Sequence, residues 1–311
     1  MSKASEKHLI KAAVLVIIVI MTSALISCSP KGNYETNTYE VNEEFTNISI
    51  NTETANIVFV PSEDGKCKVV CYEEENMKHS VSAVNGVLTV SESEGGNWYE
   101  NISLFSFPKI TVYLPKANYS SLVINESTGD IEIPGNFRFE SIDVSVSTGD
   151  VKCYASAENA MKITATTGNI DVENISAASL MLSVTTGNVS ASLVNTHGDI
   201  TVGVSTGKTK LSDVSCKNLI SNGSTGDISL ENVIASGKFS IKRSTGDVKF
   251  ENSDAAEIFI ETDTGDVKGS LLSEKIFTVD TDTGDKEFPN THSGGRCQIS
   301  TDTGDIKITI K

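Results

Sequence analysis

Ser147-Thr148-Gly149-Asp150 decides the fold, because the same four-residue pattern returns at a fixed interval. Its glycine recurs ten times, at Gly129, Gly149, Gly168, Gly187, Gly207, Gly226, Gly246, Gly265, Gly284 and Gly304, always 19 or 20 residues apart. Thr precedes every one of them, and Asp or Asn follows all but Gly207, where Lys208 stands instead. Self-similarity at a fixed period of about 20 residues is the signature of a solenoid, in which each repeat contacts only its neighbours.

The residues around the glycine define one repeat. Seven positions before it stand Leu122, Ile142, Met161, Leu180, Ile200, Leu219, Phe239, Ile258, Phe277 and Cys297. Five before it come Ile124, Val144, Ile163, Leu182, Val202, Ser221, Ile241, Ile260, Val279 and Ile299. Period-2 alternation makes this a strand with one face inward. Two and four positions after the glycine the alternation resumes, as in Ile131 and Ile133 or Val151 and Cys153, so a second strand follows the corner. Glycine takes positive φ at low cost there, and Asx side chains bond nearby amides. A weaker corner is read at Asn174, Asp213, Asn232 and Asn252. Each coil therefore has at least two short strands and two turns. The reading is all-β: a parallel β-solenoid of about 19–20 residues per coil over residues 121–311, roughly 50 Å long at ~4.8 Å per strand.

Ahead of the repeats the chain changes character. Lys3, Lys7 and Lys11 precede an apolar run of 15 residues that ends in Leu25-Ile26-Ser27-Cys28. A basic start, a short apolar core and small residues define a secretory signal, here residues 1–27. Leu-Ile-Ser-Cys resembles a bacterial lipobox, which implies cleavage before Cys28 and lipidation of its thiol. The alternative is an uncleaved single N-terminal transmembrane anchor, although 15 residues are short for a span. Both readings place the bulk of the chain outside the cytoplasm at the cell membrane. Residues 28–44 are polar and read as a lipid-anchored tether. Residues 45–120 read as irregular β opening coils that cap the first edge, with candidate strands at 48–50, 57–60, 67–72, 87–90 and 110–114 and a Gly-rich loop at 94–98. Thr54-Ala55-Asn56 resembles a degenerate Thr-Gly-Asp corner.

The formal charge is −16 over 311 residues, which argues against nucleic acid and against adhesion to anionic headgroups. The six cysteines form no disulfide framework. On the lipobox reading Cys28 goes to lipid, Cys153 and Cys297 fall in inward columns, Cys216 lies in a different phase, and Cys67 and Cys71 share a strand face too far apart to bridge. No Cys/His spacing suits zinc, and the four histidines are scattered. No catalytic, cofactor or metal residue is assigned.

Three patterns invite chemistry. Gly203-Val204-Ser205-Thr206-Gly207 matches a nucleophile elbow, but that motif needs a following helix, and Ser205 belongs to a repeated Ser column. Asp130, Asp150, Asp227, Asp247, Asp266, Asp285 and Asp305 form an acidic column, joined by Asp263, Asp282 and Asp302. Calcium bridging is one reading of it; the other is that each Asp closes its own turn, as Asn169 and Asn188 do without charge. Thr-Asp-Thr at 262–264, 281–283 and 301–303 suggests an exposed hydroxyl ladder, which β-branched propensity already explains. Lys307 and Lys311 flank the last strand, where lysine would guard an open edge.

The strand Ile110-Thr111-Val112-Tyr113-Leu114-Pro115-Lys116 leads into Leu122-Val123-Ile124-Asn125-Glu126-Ser127-Thr128-Gly129-Asp130-Ile131 and then the train of corners. Over residues 45–311 this resembles the putative-adhesin family of bacterial β-solenoid envelope domains. The resemblance implies a surface protein, with some members linked to envelope-stress signalling, and defines no catalytic residues. The insertion at 73–101 and Gly207-Lys208 depart from the bare pattern.

The functional expectation is a non-enzymatic, lipid-anchored envelope protein, an adhesin-like display module whose ladders meet a glycan, cell-wall strand or protein ligand, with the membrane reached through lipid and no nucleic acid. The alternative is a sensor or regulator of envelope stress acting through a protein partner. An enzyme on a β-helix scaffold would need converging charged groups, and Arg138, Arg243 and Arg296 are scattered.

Overall fold

The computed structural model describes residues 34–93 and 107–311. Cys28 and the signal segment, and the loop at 94–98, lie outside the described residues. Every regular element among them is a β-strand, and no helix is long and apolar enough to cross a membrane. The parallel solenoid stacks as the repeats require. Thr128, Thr148, Thr167, Thr186, Thr206, Thr225, Thr245 and Thr264 pair rung to rung without a slip. Their inward neighbours fill the core, for example Leu122, Ile142, Met161, Leu180, Ile200 and Leu219 in one column.

The Thr-Gly corner of the stacked repeats needs glycine for two reasons. Gly187 has φ of 143°, in the left-handed half of the map. A Cβ there would lie 1.8 Å from the carbonyl oxygen of Gly168 in the coil beneath. The second corner uses φ near +50° at Asn174, Asp213, Asn232 and Asn252, and also at Leu193, which the sequence pattern does not mark. Beyond it lies a third short side. Val194, Val214 and Val233 point inward there, and so do Ala177, Thr196, Cys216 and Ala235. A coil thus has three sides rather than the two that periodicity reveals, and Cys216 is a small core residue of the third.

The N-terminal region builds a cap in which the pairing turns antiparallel. Strands β1 (Tyr34–Val41), β2 (Asn47–Thr54), β3 (Asn56–Pro61), β4 (Cys67–Glu74), β5 (His79–Val84), β6 (Val87–Glu92) and β7 (Lys109–Leu114) precede β8 (Asn118–Thr128) and β9 (Ile131–Ile133). The β2–β3 coil lies directly on β8–β9, with Thr54 opposite Thr128 and Ala55 in the glycine position. Outside it, β6 lies on β2 and β7 on β3, both parallel. Then β5 pairs antiparallel with β6, β4 with β7 and β1 with β4. Strand β1 falls inside the stretch that composition alone reads as a tether. Its alternation is weak, because its one fully buried position is the polar Asn37, flanked by Thr36 and Thr38.

The other end corrects the sequence reading. The strand Ile306–Ile310 is not the open edge; it runs between Val267–Leu271 and Lys286–Glu287. The last two repeats exchange places, so that Gly295–Thr303 lies on Asp254–Thr264 and Lys275–Thr283 lies outside both. The cause is legible in the side chains. The final coil fills its aliphatic columns, with Cys297, Ile299, Ile306 and Ile308 buried, whereas the preceding coil puts exposed Lys286 in the aliphatic column. The more polar coil takes the solvent end.

Candidate functional site

The acidic column is a spine of hydrogen bonds. Each side chain accepts from the backbone amide of the next coil rather than from its own turn. Asp150 N donates to Asp130 Oδ1 at 2.8 Å, Asn169 N to Asp150 Oδ1 at 2.8 Å and Asn188 N to Asn169 Oδ1 at 3.0 Å. The pattern continues through Lys208 N on Asn188 Oδ1 and Asp247 N on Asp227 Oδ1 to Asp305 N on Asp266 Oδ1 and Asp285 N on Asp305 Oδ1. Asp and Asn serve alike, since an amide oxygen accepts as a carboxylate does. Lys208 cannot accept, and it instead places its ammonium 3.4 Å from Asp227 Oδ2.

Beside this spine the second strands face solvent with a second row. Lys210 pairs with Ser229, Ser229 with Lys249, Lys249 with Lys268 and Lys268 with Lys307, one residue per rung. Lys210, Ser229, Lys249 and Lys268, together with Lys208, Asp227, Asp247 and Asp266, border a groove of about 330 Å³ floored by Thr209, Ile228 and Val248, and Lys307 continues the row beyond it. Lys268 Nζ lies 2.6 Å from Asp266 Oδ2, which holds the Asp266 carboxyl below and the Lys268 ammonium above their ordinary ranges. Lys249 meets Glu251 at 2.9 Å and holds its carboxyl down in the same way. These groups are exposed or half-exposed, so each pair contributes little to stability. What they provide is a ladder of alternating charge with a fixed repeat on a chain that is acidic elsewhere.

The other candidates disperse. Ser205 is exposed at the end of a strand, and a corner and a further strand follow it, not a helix. Asp263, Asp302 and Asp282 stack in that order, all exposed. The Thr-Asp-Thr array is not a double hydroxyl row. Thr262 and Thr301 are buried and donate inward, to the carbonyls of Gly246 at 3.3 Å and Gly265 at 3.1 Å. Cys67 and Cys71 are both free and buried.

Two buried polar groups escape a reading by columns. Arg243 lies at 1% exposure inside the solenoid, donating to Thr209 Oγ1 at 3.0 Å and Ser221 Oγ at 3.1 Å. Its guanidinium fills the space over Gly223, where a Cβ would lie 1.7 Å from one of its nitrogens. Thr209, Ser221 and Gly223 are departures from the aliphatic pattern in adjacent coils, and that coincidence is the signal that marks them as one site. The second group is Cys71, Glu73 and His79 in the cap, where the histidine is not an isolated side chain.

Residues 45–202 and 193–311 match the model of the Toastrack DUF4097 domain. The chain belongs to the Toastrack DUF4097 family. Among solved structures this Toastrack chain is similar to a putative adhesin from Parabacteroides distasonis at 12% identity, covering 88% of this chain and 97% of that one with a TM-score of 0.43. It is also similar to a putative adhesin from Parabacteroides merdae at 11% identity, over 90% and 97% of the two chains with a TM-score of 0.42. A putative adhesin from Bacteroides fragilis aligns at 16% identity over 91% and 100%, with a TM-score of 0.36. No curated protein matches the chain.

Proposed function

We propose that this Toastrack chain is a non-enzymatic, adhesin-like envelope protein, anchored by lipid on Cys28, that holds an extracellular polymer along the groove beside the Asp spine. The ladder of Lys210, Ser229, Lys249, Lys268 and Lys307 carries the proposal, because it repeats one polar group per rung. A repeating ligand such as a cell-wall glycan or its peptide stems meets such a face many times at the same spacing, so weak contacts add through avidity. The alternation of Lys with Asp227, Asp247 and Asp266 suits a polymer that carries both charges, and disfavours a uniformly anionic one. Cys28 precedes Tyr34 by six residues, a reach of roughly 20 Å at most, so a lipid there sets the cap toward the membrane and the Lys275–Thr283 end outward. Co-sedimentation with purified peptidoglycan tests the reading. Wild type should pellet with the sacculi, and the triple substitution K210E, K249E and K268E should release it without altering the β circular-dichroism spectrum. Equal pelleting of both proteins would refute the groove as the site.

A further inference from the structure

Cys71 and Glu73 are two residues apart on β4, so their side chains share a face, and His79 opens β5 beside them. The Cys71 sulfur, a Glu73 oxygen and a His79 ring nitrogen all lie within 4.8 Å of one another. All three residues are buried, at 0%, 0% and 4% exposure. Glu73 is held in place from two sides. Asn37 Nδ2 donates to its Oε1 at 2.7 Å, and His79 N donates to its Oε2 at 2.7 Å. His79 Nδ1 also sits 2.7 Å from Oε2. The other ring nitrogen, His79 Nε2, is buried without any hydrogen-bond partner.

We propose that Cys71, Glu73 and His79 bind a divalent transition-metal ion of the zinc class, which ties β4 to β5 inside the cap. The donor set selects the ion. Sulfur and imidazole with one carboxylate suit zinc, whereas calcium and magnesium take oxygen donors alone. The His79 ring itself meets Glu73 only through Nδ1, and it loses no hydrogen bond at Nε2 when it turns toward an ion. Binding replaces the Cys71 S–H bond with a sulfur–metal bond, and the thiol proton leaves to solvent. Three protein ligands leave one coordination position for a water. The unpartnered Nε2 sets this cluster apart from an ordinary buried Glu–His pair, in which both ring nitrogens find partners. The site concerns how the cap is held and is independent of what the groove binds.

The test uses the full chain carrying C28S, stripped with a chelator and titrated with Zn2+ against a chromophoric competitor and, separately, with Co2+. One Zn2+ per chain is expected. The Co2+ form should show a thiolate-to-cobalt charge-transfer band that C71S removes and C67S keeps. H79Q and E73Q should each weaken Zn2+ binding by more than about tenfold. Should C71S unfold, H79Q still decides through the cobalt spectrum, because loss of a nitrogen ligand shifts the visible bands while the sulfur band remains. No stoichiometric Zn2+ on the wild type, or a Co2+ complex without the sulfur band, overturns the proposal.

Discussion

Thr264 pairs with Thr303 and not with Thr283, so the last repeat in sequence is the next-to-last rung in space. The side chains lock this order. Buried Lys275, on the outermost strand, passes the Gly295 rung to reach Asp254 Oδ1 at 2.6 Å. Gly295 lets its own strand sit close on the inner coil, since a Cβ there would lie 1.7 Å from the Ala256 carbonyl oxygen. The coil of residues 275–287 therefore rests on the final one, and among the described residues its strands pair with no strand of the 254–271 coil. Truncation after residue 292 should release the 275–287 coil as well as the missing one, because its only ladder partner is gone. Hydrogen exchange checks this directly. Amides of residues 275–283 should exchange faster than those of 297–303 in the intact chain, and at the rate of an unfolded segment in the truncated one. Protection of 275–283 after truncation would show sequential stacking instead.

Leu193 is the odd member of the second corner. It holds φ of 53° with half its surface exposed, where the neighbouring coils have Asn174, Asp213, Asn232 and Asn252. A left-handed conformation costs an ordinary residue about 1–2 kcal/mol, and Asn is relieved of part of that by local hydrogen bonding. L193N should therefore raise stability by about 0.5–1 kcal/mol, with little apolar burial lost. Chemical denaturation should show a higher midpoint at unchanged slope. A lower midpoint would mean that the leucine side chain is held by packing.

What the sequence yields and what it withholds follows from which interactions repeat. The Gly149 position recurs in every repeat and the aliphatic Val144 position in all but the one with Ser221, so their columns are visible as periods and the parallel solenoid can be read from them. The third side is nearly invisible, because it is two or three residues long and its inward positions, such as Ala177 and Cys216, are small and of mixed type. The exchange of the last coils leaves only Lys286 as a trace, since strands of equal length fit either order. In the site the Asp spine was legible as a column but not as a bond from coil to coil, for that direction depends on three-dimensional register. The Lys ladder was hidden because its positions also carry Ser and Glu in other coils.

Arg243 tests whether a polar departure from the aliphatic columns stabilises the rod. It is a buried guanidinium whose hydrogen-bonded partners are two hydroxyls, and its Nε has no partner. Burial moves its pKa down, although arginine keeps its charge. Removing such a group from water costs several kcal/mol, and two neutral hydroxyls offset only part of it. R243M should raise stability by about 1 kcal/mol, since the methionine follows the same path above Gly223 and leaves Thr209 and Ser221 to bond elsewhere. Thermal unfolding of the two proteins at one pH gives the answer, and a marked fall in Tm for R243M would assign the guanidinium a stabilising partner.

Glu126 places a titrating group at the joint between cap and rod. It is buried in the column that elsewhere holds Val146, Ala165 and Val184, and it accepts from Thr52 Oγ1, from Ala55 N at 3.2 Å and from Thr128 N at 3.1 Å. Burial raises its pKa from 4.5 to about 7, against the lowering by those three donors. The folded chain thus binds the proton more tightly than the unfolded one. The stability linked to this group is complete below pH 4.5 and is lost as the pH rises to about 7. At 1.36 kcal/mol per pKa unit the loss is about 3 kcal/mol. E126Q keeps an acceptor for the two amides and carries no charge, so its stability should stay flat across that window where the wild type falls. Urea midpoints at pH 5 and pH 8 give the comparison. Parallel pH dependence in the two proteins would remove Glu126 as the source. A steeper fall in the wild type, accompanied by earlier exchange of the Ala55 and Thr128 amides, would place the first opening of the molecule at this joint.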